Sequence, residues 1–324
     1  MNTDDMLEGQ SVHFPTETVQ LSERIGSGAA GTVHHVEGDE STVVKIFSKD
    51  KRDEKADKIQ AMVENPPQDP TFEQTGERSI LWPEAVGEDP ETGEFLGYRM
   101  PFRDLKKINN AHSYARTELN WDTSTPQERY GVAHNLAVTV AAIREQGHAI
   151  GDFNHGNIFV DEDGFVTLID CDGFYITTGN TSYPHDIFSS RYTPLAGLDS
   201  VGEIDIETND CFGLSVHIFQ LLMEGFHPFQ AQGFDAVAGS FEDMIQNNQF
   251  PYGSDTGKIR PPEQAPNYEQ IPEPIRQLFS NCFSTPAMPY LYCPKPNDWI
   301  ETLERQLSDR PCEVDCRWDW FDTS

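Results

Sequence analysis

Oxygen-bearing side chains crowd one short stretch, residues 146–176, which reads QGHAIGDFNHGNIFVDEDGFVTLIDCDGFYI. Asp152 is followed five residues later by Asn157, and Asp170 opens the sequence Asp170-Cys171-Asp172-Gly173. Carboxylate and amide oxygens are hard donors. Three of them at one place suit Mg²⁺, which keeps several waters and takes its other ligands from a few carboxylates and from substrate phosphates. The chemistry in view is metal-assisted work on a phosphate-bearing substrate.

Those residues need an element that gathers them. The apolar runs Ile158–Val160 and Val166–Ile169 flank the turn Asp161-Glu162-Asp163-Gly164, which predicts a β-hairpin. A hairpin returns the end of its second arm to the start of its first, so Asp152, Asn157 and Asp170 are expected at one sheet edge. Upstream, Gly26-Ser27-Gly28-Ala29-Ala30-Gly31-Thr32-Val33 has the spacing G-x-G-x-x-G-x-V. Alone this is a weak signal, since dinucleotide folds and kinases both use it. A dinucleotide site needs a helix after the third glycine. Here Thr32–Val36 is β-rich, Glu37–Glu40 is a turn, and Thr42–Phe47 is a second strand. The glycines are therefore expected to cap a hairpin whose amides close over phosphates. Lys45 lies on the second strand, twelve residues after Val33; a surface lysine is the bland alternative.

The remaining elements follow from periodicity. Residues 49–64 carry Ile59, Met62 and Val63 at helical spacing and end at Asn65-Pro66-Pro67. Glu54 and Glu64 compete as the partner of Lys45, with Glu54 preferred, and either is alternatively a solvated charge. Residues 65–79 read as loop. Ile80–Pro83 and Phe95–Met100 read as strands, and Met100-Pro101-Phe102-Arg103 as a linker whose backbone faces an adenine edge. Pro126–Gln146 is an amphipathic helix, Asp210–Met223 a nearly all-apolar one, and Ile275–Phe283 with Trp299–Leu307 two closing helices. His227, between Phe226 and Pro228-Phe229, is expected to pack rather than ligate, and residues 250–270 form a long loop.

Taken in order, the glycine loop, Lys45, Asp152 with Asn157, Asp170, and Asp210 with Gly213 resemble the protein-kinase superfamily over residues 21–305. The wording Gly151-Asp152-Phe153-Asn154-His155-Gly156-Asn157 and Leu168-Ile169-Asp170-Cys171-Asp172 resembles a prokaryotic branch associated with phosphatases and von Willebrand A-type domains in stress signalling. The resemblance implies an α+β, bilobal protein-kinase-like fold: a small antiparallel β N-lobe with one helix, and a larger mainly α-helical C-lobe. It implies an N-terminal arm at 1–20, an N-lobe at 21–102, a C-lobe at 103–310 and a tail at 311–324. ATP and Mg²⁺ are the implied cofactors. Ile25, Gly26, Ser27, Gly28, Gly31, Val33, Lys45, Glu54, Met100 and Phe102 would surround the nucleotide, and Asn157 and Asp170 would hold the metal. Lys45, Asp152 and Asn157 would be catalytic, Asp152 accepting or orienting the substrate hydroxyl. Asp210 would brace the catalytic loop.

Departures from the family pattern bear on activity. Ile150-Gly151 replaces the usual His-Arg before the aspartate, which removes the partner of a phosphorylated activation loop. Asn154 stands where protein kinases have a γ-phosphate lysine. Asp170 and Asp172 offer two registers for the metal ligand, with the preceding strand favouring Asp170. The segment Ser190–Ala196 resembles the substrate-platform motif without its closing glutamate. The implied activity is transfer of the ATP γ-phosphate to Ser/Thr hydroxyls of proteins, or autophosphorylation. The alternatives are a nucleotide-binding pseudokinase scaffold and a small-molecule kinase of the same fold.

The 324 residues carry 54 acidic against 23 basic side chains, a formal charge of −31 dispersed along the chain. Dispersed acidity with scarce lysine reads as a surface adapted to concentrated salt, that of a halophilic archaeon, rather than that of a merely acidic cytosolic protein. Such charge argues against nucleic-acid binding. With no leader and no long apolar run, the reading is cytoplasmic, with no membrane. The six cysteines are expected as free thiols, the Cys312-x-x-x-Cys316 pair being at most half a zinc site. The aromatic tail Trp318–Phe321 is expected to dock on its own domain. Partners, beyond an unknown protein substrate, would be a phosphatase or a von Willebrand A-type protein.

Overall fold

The computed structural model describes residues 7–116, 125–184, 189–194, 206–232, 241–247, 249–253, 259–284 and 293–308. Six strands begin the chain: β1 (Ser11–Phe14), β2 (Glu17–Ser27), β3 (Gly31–Val36), β4 (Asp39–Phe47), β5 (Ala85–Glu88) and β6 (Phe95–Pro101). They close into an antiparallel barrel in the order β1-β2-β3-β4-β6-β5. Alternation fills the interior. Val12, Phe14, Val19, Leu21, Val36, Val44, Ile46 and Leu96 form an apolar cluster of their own, as expected when every second side chain points inward. Within the stretch 1–20, expected as an N-terminal arm, residues 11–14 form β1 and residues 17–20 begin β2, and the edge is sealed by pairing of His13 with Glu88.

Two helices follow β4. The first, α1 (Arg52–Glu64), matches the periodic stretch, and Trp82 Nε1 and His148 Nε2 bond the carbonyls of Met62 and Asn65 at its end. The second, α2 (Pro70–Thr75), falls in a stretch expected as loop. Its signal was local: Asp69 caps the Phe72 amide and Pro70 opens the first turn. Ile80–Pro83 is not a strand; only Ile80 makes an isolated parallel bridge, to Leu168.

Beyond residue 102 lie β7 (Asn109–Asn110), α3 (Ala111–Ala115), α4 (Pro126–Glu145), β8 (Ile158–Val160), β9 (Val166–Leu168), β10 (Ile176–Thr178), β11 (Thr181–Tyr183), α5 (Ile206–Leu222), α6 (Phe241–Gln246), α7 (Glu273–Phe283) and α8 (Pro296–Ser308). A full capping box fixes the start of α4, with Thr125 and Glu128 satisfying each other's amides. Helix α5 is buried along nearly its whole length, as its apolar composition requires. The strands form the sheets β7-β8-β9 and β10-β11.

The expected bilobal arrangement, a small β lobe with one helix and a mainly helical second lobe, does not describe this fold. The N-terminal strands close on themselves as a barrel with its own interior, two helices are inserted between β4 and β5, and two further sheets lie beyond residue 102. A second apolar cluster runs without interruption from Phe47, Ile59 and Met62 through Trp82 and Phe153 to Phe219 and Trp299. Hydrophobic periodicity reads inside-facing residues but not whether a sheet closes. The free-thiol expectation is corrected as well: Cys282 and Cys293 form a disulfide, while Cys171 and Cys211 are buried free thiols. Cys312, Cys316, Leu195, Ala196 and the Trp318–Phe321 tail lie outside the described residues. No helix among the described residues is long and apolar enough to cross a membrane.

Candidate active site

The hairpin predicted from residues 158–169 forms with Ile158 opposite Leu168, which places the chain before β8 beside the chain after β9. Before β8, a single helical turn His155–Asn157 is capped by Asn154, whose side-chain oxygen accepts the Gly156 amide at 3.0 Å. Asn154 is therefore spent on shaping the turn. After β9, Asp170 adopts φ 57°, a left-handed conformation uncommon for a residue with a side chain, and opens the turn Cys171–Gly173.

The loop carrying Asp152 is fixed from below. Asp210 on α5 is fully buried and accepts the amides of Ile150 at 2.7 Å and Gly151 at 2.9 Å. Its neighbour Asn209 donates to the Gly151 carbonyl. Burial pushes Asp210 up to about 6, against the pull of those amides and Arg144. Gly213 lets α5 approach: a methyl there would stand 2.7 Å from the Phe153 ring. Gly213→Ala is thus expected to lower stability by about 1–3 kcal/mol through overpacking beside the loop. Urea unfolding against wild type would check it; an unchanged midpoint would mean the loop yields freely. His217 also fastens Phe153, donating from Nε2 to its carbonyl at 2.6 Å, and burial drops its pKa to about 3, so the ring is neutral. The ring stacks on Tyr192 at 4.5 Å, and the Tyr192 hydroxyl meets His155 Nδ1 at 3.1 Å. His227, expected to pack, donates to the Arg191 carbonyl at 2.9 Å and so holds the same segment.

These loops and the barrel face a common cavity of about 500 Å³. Ile25, Gly26, Ser27, Gly28, Gly31, Val33, Lys45, Met100, Phe102, Asp152, Asn157 and Asp170 all line it. Glu54 does not. It is exposed and lies with Lys51 at 3.0 Å and Lys55 at 3.7 Å. Glu64 accepts from Gln60. Within the linker, the Phe102 amide donates to the Ser41 carbonyl at 2.8 Å.

The lining divides by chemistry. Ile25, 41% exposed, joins Val33, Val43, Met100 and Phe102 in an apolar wall, while Lys45, Asp152, Asn157, Asp170 and Asp172 are polar or charged. Lys45 Nζ lies 2.6 Å from Asp170 Oδ1 and 2.6 Å from Asp172 Oδ1. Burial alone would lower the Lys45 pKa, but the two carboxylates outweigh it and raise it. Asp172 is depressed because Lys45 and the Tyr98 hydroxyl, 2.7 Å away, overcome its burial. Both partners are thus charged. Burial pushes Asp152 up, and the nearby Asp170 adds to it, while the Ser189 and Asn154 amides oppose. Sequence reading missed Tyr98, whose signal was its place directly across the ladder from Lys45.

Among the described residues no group of three or more His, Cys, Asp or Glu side chains is assembled for a metal. A Mg²⁺ ion needs fewer. The Asp170 side chain is 55% exposed, Asn157 shares the cavity, and the buried Asp152 Oδ1 has no hydrogen-bond partner among the described residues. A hard-oxygen set of this kind fits Mg²⁺ shared with phosphates.

A cavity with an apolar wall and a charged wall carrying two buried lysines, Lys45 and Lys58, and several carboxylates suits a ligand with one apolar and one charged part. No protein-family model matches the chain. Over 295 residues it is similar to Protein kinase YegI of Escherichia coli (strain K12), at 28% identity, and to the protein of the same name of Escherichia coli O157:H7, at 27%. The similarity covers 89% of this chain but 44% and 45% of those proteins, so the chain spans less than half the length of the curated relatives it matches. It supports the kinase-like relationship that the motifs imply.

Proposed function

We propose that this chain transfers the γ-phosphate of ATP to Ser/Thr hydroxyls of proteins. The observation that carries the proposal is the convergence of Lys45, Asp152, Asn157 and Asp170 on one cavity beside the Gly26–Gly31 turn. The name of the two relatives supports the same reading. In it, Lys45 donates to the nucleotide phosphates. Asp152 accepts the proton of the substrate hydroxyl as its oxygen bonds to the γ-phosphorus and the β,γ-bridging bond breaks, releasing ADP. Mg²⁺, held by Asp170 and Asn157, would neutralise phosphate charge when bound.

Incubation with γ-labelled ATP and Mg²⁺ tests this. Label on a Ser/Thr residue of the chain or a protein substrate is expected; binding of nucleotide without transfer would identify a scaffold, and label on a small molecule alone a different substrate class. Because the chain carries −31, we propose that it works in concentrated salt. Its melting temperature should rise steadily from about 0.1 M to molar KCl as repulsion is screened; a flat response would sink the salt-adaptation idea. A phosphatase or von Willebrand A-type protein is the partner class the motif wording favours.

A further inference from the structure

We propose that Asp172, held by Tyr98, is the carboxylate that positions Lys45, a role expected of a glutamate on α1, and that it leaves Asp170 available to the metal. The inference rests on the phosphotransfer reading above.

The geometry separates the two aspartates. Both touch Lys45 at 2.6 Å, yet the side chain of Asp170 is 55% exposed and that of Asp172 is 5% exposed. The same Oδ1 of Asp172 also accepts the hydroxyl of Tyr98, a residue fully buried and paired across the ladder with Lys45. Oδ1 of Asp172 is therefore held by two residues of the barrel wall, whereas Asp170 has room to exchange its lysine contact for a cation. If Asp170 turns to a metal, Lys45 and Asp172 remain as a neutral buried pair. An ammonium has three donors, so Lys45 can keep one on Asp172 and still present others to phosphate.

Helix α1 offers no substitute. Its four acidic residues, Asp53, Glu54, Asp57 and Glu64, are all exposed, and the side chains it sends to the cavity are Lys55 and Lys58. A helix glutamate on Lys45 would tie the lysine to the position of α1. Here the tie runs to the turn after β9, the turn that also carries the metal residue Asp170, so the lysine and the metal loop are set together.

A double-mutant cycle on the full chain tests the role. In first-turnover assays Asp172→Asn and Lys45→Met are each expected to slow transfer about 30- to 100-fold, with Mg·ATP affinity changed less than fivefold. If Asp172 acts through Lys45, the double variant is no more than about threefold slower than Lys45→Met alone. Losses that multiply would overturn the proposal and make Asp172 an independent group such as a metal ligand. Tyr98→Phe, which keeps the packing, should lower the rate severalfold with little change in the KM for ATP; a wild-type rate there also counts against it. An active wild type whose Asp172→Asn variant is equally active sinks this inference alone, while a wild type that transfers no label sinks the phosphotransfer reading and the inference with it.

Discussion

Asp152→Ala is expected to slow phosphate transfer about 10³-fold while leaving Mg·ATP affinity within a few-fold of wild type. A positioned general base contributes about 10²–10⁴ in rate, and the Asp152 carboxylate sits in the cavity with one oxygen buried and without a hydrogen-bond partner among the described residues. An acceptor held in that state is poised for a donor that arrives with substrate. The prediction has a pH component whose sign follows from burial. Asp152 must be ionised to accept a proton, and its pKa lies above the ordinary aspartate value. As pH falls, kcat/KM should therefore decline at higher pH than an exposed aspartate would allow. Single-turnover assays with label across pH, beside equilibrium nucleotide binding, read both effects. A variant that loses binding and transfer in equal measure would place Asp152 in nucleotide binding instead.

The candidate site was largely legible before the fold was known. Its residues fall in short local patterns, and a hairpin or a glycine turn is a local event. Hence Asp152, Asn157, Asp170, Lys45 and the Gly26–Gly31 turn were placed by spacing and do share one cavity. What was not legible depends on distant pairing. The pairing of β1 with β5 that closes the barrel, at His13 and Glu88, is recorded by no periodicity. The carboxylate partner of Lys45 is expected nearby on α1, at Glu54 or Glu64, but the carboxylates it meets lie 125 and 127 positions along the chain, a distance no local spacing spans. The Cys282–Cys293 bond likewise needs the end of α7 and the start of α8 to be neighbours.

Asp210→Asn gives the second large effect, and it separates stability from rate. The wild-type carboxylate receives both loop amides; an asparagine has one acceptor oxygen and turns an NH₂ toward the other amide. Misplacing a reacting group by about 1 Å costs on the order of 10² in rate, so transfer should fall about 100-fold. Stability behaves differently. The native pKa of Asp210 is raised from 3.8 to about 6, so the folded state holds its proton more tightly than the unfolded chain. The stabilisation this gives is complete below the unfolded value and is lost as pH rises through the native one. Roughly two pKa units correspond to about 3 kcal/mol. The unpaired amide in the variant costs about 1–3 kcal/mol at any pH. Below pH 4 the variant should thus be clearly less stable than wild type, and above pH 6 it should match or exceed it, because it no longer ionises between Arg144, Asn209 and the loop. Melting curves of both proteins between pH 4 and 7 measure this, with transfer assayed at pH 7. A stability gap constant across that range would remove the buried charge from the account, and full activity in the variant would remove the brace.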